Sequence, residues 1–238
     1  MWSSPAVRNV MLRVLERGLA IGGEPEFKHH SAHPDAPHAP FKIHLCTKNL
    51  RPEGRLTRED VEVNANVMWN YLTNQAHSGN FAGLPNVGEV LATKIHKRVL
   101  DSRLLRFSKI GTGKERHIGP LIDADECSVG SLVWGIDDLV TFGTSKGEFI
   151  NEIRKANYRI TDFLVLIDYD VGAAAYLENE FGVRLHSIFT VEELLSFAER
   201  ENKGRPVGKE LLSPAVIDAG RKFLSSSRKQ PLTPQAAK

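Results

Sequence analysis

Residues 132–145 read Leu132-Val133-Trp134-Gly135-Ile136-Asp137-Asp138-Leu139-Val140-Thr141-Phe142-Gly143-Thr144-Ser145. An apolar run over Ser131–Ile136 predicts a strand, two acids follow it, and a bend of small and hydroxyl-bearing residues leads into helical spacing from Ser145 to Ala156. Open α/β sheets bind ligands beyond the carboxyl ends of their strands, where this bend must lie. A helix starting near Ser145 offers unpaired backbone N–H groups and a positive dipole end, and both suit a phosphate. Gly143 lets a ligand approach the backbone, and the hydroxyls of Thr141, Thr144 and Ser145 add donors. Asp137 and Asp138 are then placed to accept bonds from sugar hydroxyls beside that phosphate. An ordinary strand-turn-helix with an acidic cap would show the same pattern, so the motif alone does not decide the chemistry.

Working outward, strand and helix patterns alternate. Downstream, Asp162–Ile167 is an apolar strand, Ala173–Phe181 a helix, Leu185–Phe189 a last strand and Val191–Glu201 a closing helix. Upstream, Phe81 ends a strand, Val87–Leu100 reads as a helix, Leu104–Phe107 as a strand and Ser108–Gly119 as a polar loop. Arg58–Gln75 has helical character with Thr57 as its N-cap. Val7–Leu19 carries an apolar helical face ended by Gly22-Gly23, and Phe41–Leu45 reads as an edge strand. Alternation of this kind implies an α/β fold with a central, mostly parallel sheet flanked by helices. The expected organisation is an N-terminal helix and hood over 1–75, a core over 76–203, and a C-terminal helix with a disordered tail over 204–238. The tail from Ser225 onward, rich in Ser, Lys, Pro and Gln, is read as disordered.

Hydrophobic residues at 41% and charged residues at 25% exclude wholesale disorder. A net charge of +2 gives no reason to expect a nucleic-acid partner. Cys46 and Cys127 stand far apart, without metal-ligand or redox spacing, which fits a reducing compartment. No uncharged run is long enough to span a bilayer, and charges interrupt the apolar N-terminus as they would not in a signal peptide. The expected location is the cytoplasm.

Ile136-Asp137-Asp138-Leu139-Val140-Thr141-Phe142-Gly143-Thr144-Ser145 resembles the phosphoribosyl-pyrophosphate signature of type I phosphoribosyltransferases. Asp162–Asp168, Gly172-Ala173 and Leu185–Leu195 resemble the carboxyl-terminal half of orotate phosphoribosyltransferases. Phe81–Gly88 is similar to that family's pyrophosphate-side loop, and Leu121–Gly130 to its connection into the signature strand. The resemblance implies Mg2+-dependent transfer of a 5-phosphoribosyl group from phosphoribosyl pyrophosphate to a nucleobase, orotate giving orotidine 5'-monophosphate, in pyrimidine biosynthesis. It implies a homodimer, because that family's mobile loop reaches over the neighbouring subunit's pyrophosphate. Asp137 and Asp138 would hold the ribose and stabilise the positive charge that develops on its ring. Thr141, Gly143, Thr144 and Ser145 would take the 5-phosphate. Arg106 with Lys109 or Lys114 would meet the pyrophosphate.

Several positions depart from the family. The loop Arg106–Lys114 lacks the Lys-Asp-His-Gly core, which leaves Lys109 and Lys114 both open. Phe27-Lys28 matches the start of a base-contacting segment, so Lys28 is a candidate contact, but His29-His30 replace the Ser-Gly that follows. Phe41–Cys46 departs likewise: the family's Tyr-x-Asp-x-Arg is replaced by Lys42-Ile43-His44-Leu45-Cys46. Tyr169 stands where the family has an Arg and is a candidate substrate contact, although tyrosine cannot pair with a carboxylate as a planar guanidinium does. A phosphoribosyltransferase for another base and a non-catalytic sensor of phosphoribosyl pyrophosphate or a nucleotide are the alternatives. His29, His30, His33 and His38 suggest a metal, yet the prolines and alanines between them fix no geometry, so no protein metal site is assigned. His186, in an apolar strand, reads as a satisfied core histidine.

Overall fold

A computed structural model describes residues 4–22, 37–50, 52–75, 79–111, 117–124 and 126–229. In chain order its elements are α1 (Pro5–Arg13), a π-helical turn (Val14–Gly18), β1 (Leu19–Ile21), β2 (Phe41–Ile43), α2 (Arg58–Asn74), β3 (Asn80–Gly83) and α3 (Val87–His96). They continue with β4 (Leu104–Ile110), β5 (His117–Asp123), β6 (Leu132–Val140), α4 (Thr144–Lys155), β7 (Arg159–Asp168), α5 (Ala173–Phe181), β8 (Arg184–Thr190), α6 (Val191–Asn202) and α7 (Pro214–Lys229).

Six strands form one sheet in the order β5-β4-β3-β6-β7-β8, with β1 and β2 as a separate antiparallel pair. Every neighbouring pair in the large sheet is parallel except β4–β5. The expected mostly parallel sheet flanked by helices is therefore present. Parallel strands must be apolar on both faces, and β6 and β7 show how that is met. Trp134, Ile136, Leu164 and Leu166 enter the core shared with α1, α2, α3, α6 and α7. Val133, Phe163 and Val165 enter a second core shared with α4 and α5. Each fully buried large side chain contributes about 1.5–3 kcal/mol, so β7, apolar from Phe163 to Ile167, anchors both layers.

Local signals place the helix ends. Thr57 caps α2 through a reciprocal pair, its Oγ1 accepting from the Asp60 amide at 3.1 Å and its own amide donating to Asp60 Oδ2 at 2.8 Å. Thr190 and Glu193 do the same for α6. Such boxes satisfy N–H groups that a helix cannot satisfy internally.

Several expected boundaries move. The first helix does not run to Gly22-Gly23: Leu19 leaves it for β1, because Ile43 offers a strand partner and Arg55 donates to the Leu19 carbonyl at 2.7 Å. Helix α3 stops at His96, four residues short, in a turn closed by Ser102 and His96. Both ends of the expected 108–119 loop are strand, since Lys109 pairs with Ile118 and Ile110 with His117. Strand β6 does not end at Ile136 but carries both acids on to Val140. Ser225–Lys229 are helical rather than disordered, because Leu224 and Ser227 are buried and Arg228 reaches Asp170.

Candidate active site

The carboxyl ends of β6 and β7, the bend at 141–143 and the first turn of α4 form one corner of the sheet. Gly143 caps α4 with φ +87°, a conformation that favours glycine, and a Cβ there would also strike the Tyr176 ring. No side chain caps this helix, in contrast to α2 and α6. The amides of Lys146 and Gly147 bond back to the Gly143 carbonyl at 2.9 Å, which fixes the turn and leaves the helix dipole facing the bend. Thr141, Thr144 and Ser145 are half-buried around it. These four sequence-predicted residues thus surround one bend at the start of α4.

The two acids have different surroundings. Asp137 is buried, pairs in register with Val165, and its Oδ2 accepts from Lys146 Nζ at 2.6 Å. The same ammonium donates to the Leu139 carbonyl at 2.6 Å. Asp138 is half-buried, and its Oδ1 accepts from the Leu139 amide at 2.9 Å. Its charge also bears on the Tyr169 hydroxyl. Both carboxylates are expected on the ribose; the strand continues through both, and its alternation turns Asp137 toward α4.

Neighbouring elements close the corner. Gly88 in the first turn of α3 lies so near β6 that a Cβ would meet the Ile136 carbonyl and the Asp137 carboxylate. Asn86 before it has φ +92°, a strained value for a residue with a side chain. Lys109 Nζ reaches the Pro85 carbonyl at 3.4 Å, which ties β4 to this turn. Arg106 is turned to Asp123 at 2.6 Å across the β4–β5 pair. Lys28 and Lys114, with His29, His30 and His33, lie outside the described residues. Among the described residues no group of three or more His, Cys, Asp or Glu could hold a metal ion by itself.

Tyr169 corrects an expectation. Its side chain is wholly buried, edge-on to Phe223 at 6.3 Å, with the Ile43 backbone near its hydroxyl and its pKa raised by burial. It ties β2 and α7 to the end of β7 and presents no surface to a base. Asp168, just before it, is the most perturbed carboxylate of the corner. Burial pushes its pKa up to about 6, although the Asp170 amide donates to it at 2.8 Å.

Lys146 was missed as a site residue, although a signal was present. Lys146, Phe149, Ile150 and Ile153 share helical spacing, so a lysine falls on the buried face of α4 and must find an acid there.

No family model matches the chain. It is 34% identical over 113 residues to the orotate phosphoribosyltransferase of Sulfolobus acidocaldarius, covering 48% of this chain and 54% of that protein. The chain spans about half the length of the curated relatives it matches in this way. Among solved structures, UMP synthase of Leishmania donovani superposes over 94% of this chain and 42% of its own, with TM-score 0.69 and 21% identity. Orotate phosphoribosyltransferase of Mycobacterium tuberculosis in complex with phosphoribosyl pyrophosphate covers 80% of this chain and 99% of its own, with TM-score 0.55 and 16% identity. The chain is thus similar to orotate phosphoribosyltransferases over about half of its length, and its fold is that of the type I phosphoribosyltransferases.

Proposed function

We propose that this chain transfers the 5-phosphoribosyl group of phosphoribosyl pyrophosphate to orotate, giving orotidine 5'-monophosphate for pyrimidine biosynthesis. One observation carries the reading. An uncapped helix start behind Gly143 stands beside Asp138 at the carboxyl end of β6, in a chain that resembles orotate phosphoribosyltransferases. The amides and hydroxyls of Thr141, Gly143, Thr144 and Ser145 take the 5-phosphate, where the dipole of α4 favours a dianion. Asp138 accepts from a ribose hydroxyl and stabilises the positive charge that builds on the ring as pyrophosphate leaves. That charge exists only near the transition state, so the interaction raises rate more than affinity.

On the leaving-group side, Lys109 beside Pro85 meets the pyrophosphate. Arg106 and one further lysine, Lys114, join it there, and Lys28 contacts the base. The half-exposed carboxylate of Asp138 is a hard oxygen donor, and with the oxygens of the donor substrate it would hold Mg2+. When bound, the ion supplies charge neutralisation to the departing pyrophosphate. A homodimer in the cytoplasm completes the reading. Among the described residues no helix is long and apolar enough to cross a membrane.

Buried Tyr169 favours a second reading, a base without orotate's carboxylate, because a tyrosine with its hydroxyl turned inward offers that anion nothing. The loss of orotate absorbance with phosphoribosyl pyrophosphate and Mg2+ tests the first reading. Turnover with orotate supports it; turnover only with another base selects the second. Saturable donor binding without turnover on any base would overturn both and leave a sensor.

A further inference from the structure

The most unusual feature of this corner is a lysine where the buried face of α4 begins. Lys146 and Asp137 are about equally hidden, 5% and 4% exposed, and their bond of 2.6 Å joins the helix to the strand end. Helical side chains lean toward the helix N-terminus, so Lys146 runs back beneath the bend instead of out to solvent. Its second bond, to the Leu139 carbonyl, ties the residue that enters the bend to the residue that leaves it. Asp137 is closed off on its other side by Gly88, where even a methyl group would collide with its carboxylate.

We infer that Lys146 is a positioning residue that latches the phosphate-binding bend, and that Asp137 is its counter-ion rather than a sugar ligand. The inference rests on the phosphoribosyl reading above and divides the acid pair that reading would otherwise share. Asp138 alone meets the ribose. The physical reason is preorganisation: a loose bend must be ordered by the ligand it binds, and that ordering weakens affinity. A latch between Leu139 and Lys146 orders the bend beforehand and sets a positive charge below the phosphate. Stability alone gives little reason for such a pair, since a buried ion pair rarely outperforms well-packed apolar residues of the same volume.

Two probes separate the roles, inorganic phosphate and ribose 5-phosphate, each titrated against folded protein by calorimetry or NMR. Removing one partner would strand a buried charge, so the main variant is the double Asp137→Asn/Lys146→Met. Its affinity for both probes is expected to fall by the same factor, about tenfold. Asp138→Asn is expected to weaken ribose 5-phosphate by about tenfold or more and to leave inorganic phosphate unchanged. Wild-type affinity of the double variant for both probes would overturn the latch. A loss confined to ribose 5-phosphate would show instead that Asp137 touches the sugar. Should that double variant fail to fold, the more polar Asp137→Asn/Lys146→Gln carries the same contrast, equal losses supporting the inference and a sugar-selective loss overturning it. Wild-type protein that binds neither probe would remove the phosphoribosyl reading itself, an outcome distinct from the others.

Discussion

Asp60 at the start of α2 and Asp168 at the end of β7 are both buried carboxylates, and their surroundings push them in opposite directions. Burial alone would raise Asp60, but the Thr57 amide and hydroxyl with the guanidinium groups of Arg13 and Arg17 outweigh it and bring its pKa down to about 2. Asp168 has a single backbone donor, from Asp170, and stays high, at about 6. The α2 start is a corner whose acceptors are saturated. At the end of β6 and β7 the helix is uncapped and one carboxylate is held at an unfavourable charge. A saturated corner holds the fold together, whereas unspent donors and acceptors are what a ligand can use.

The sharpest way to break this contrast is to remove one acid from each corner. Asp138→Asn is expected to lower turnover by about a hundred- to a thousandfold, roughly 3–4 kcal/mol of transition-state stabilisation, with the melting temperature unchanged. Steady-state kinetics beside a melting curve check it. Asp60→Ala is expected to do the reverse. It costs about 2–3 kcal/mol of stability, because the capping box and its ion pairs go together, while turnover per folded molecule is retained. Denaturant unfolding measures the loss.

The pH dependence sharpens the comparison further. A depressed carboxylate adds stability above its unfolded pKa, so the contribution of Asp60 is lost as pH falls from about 4 to about 2. A raised carboxylate works in the other sense. Folded Asp168 keeps its proton where the unfolded chain has released it, so stability falls as pH rises from about 4 to about 6. Asp168→Asn is expected to flatten that slope and to gain on the order of 2 kcal/mol at pH 7. Unfolding curves at pH 4.5 and 7 in both proteins are the check.

A smaller effect concerns the far end of the sheet. His186 Nδ1 meets the Tyr71 hydroxyl at 2.9 Å and His186 Nε2 meets Asp162 at 2.8 Å, which satisfies the histidine as its place in an apolar strand predicts. Tyr71→Phe is expected to cost about 1 kcal/mol of stability with no change in donor binding.

The difference between the two corners also explains what the sequence made legible. Thr57 followed by Asp60 is a local signal, and the bend at Gly143 is another, so both helix starts could be placed from the residues alone. The sheet could be read because β6 is apolar up to Ile136 and β7 from Phe163 to Ile167. What escaped depended on partners distant in sequence. Asp60 gave no sign that Arg13 and Arg17 would converge on it. The extension of β6 through its acids is decided by pairing with Val165, Ile167 and Asp168, not by composition. Tyr169 looked like a substituted ligand because its position in the chain matched one, but Phe223 and the Ile43 backbone claim its side chain. Lys146 lies between these cases. Its helical spacing announced a buried charge without naming the acid that meets it.

Amide hydrogen exchange with and without phosphoribosyl pyrophosphate and Mg2+ compares the two corners in one experiment. Exchange is expected to slow at residues 139–147, where the 5-phosphate is to be gripped, and to stay unchanged at 57–61. Saturating donor that leaves the 139–147 amides as fast as in the free protein would contradict the account.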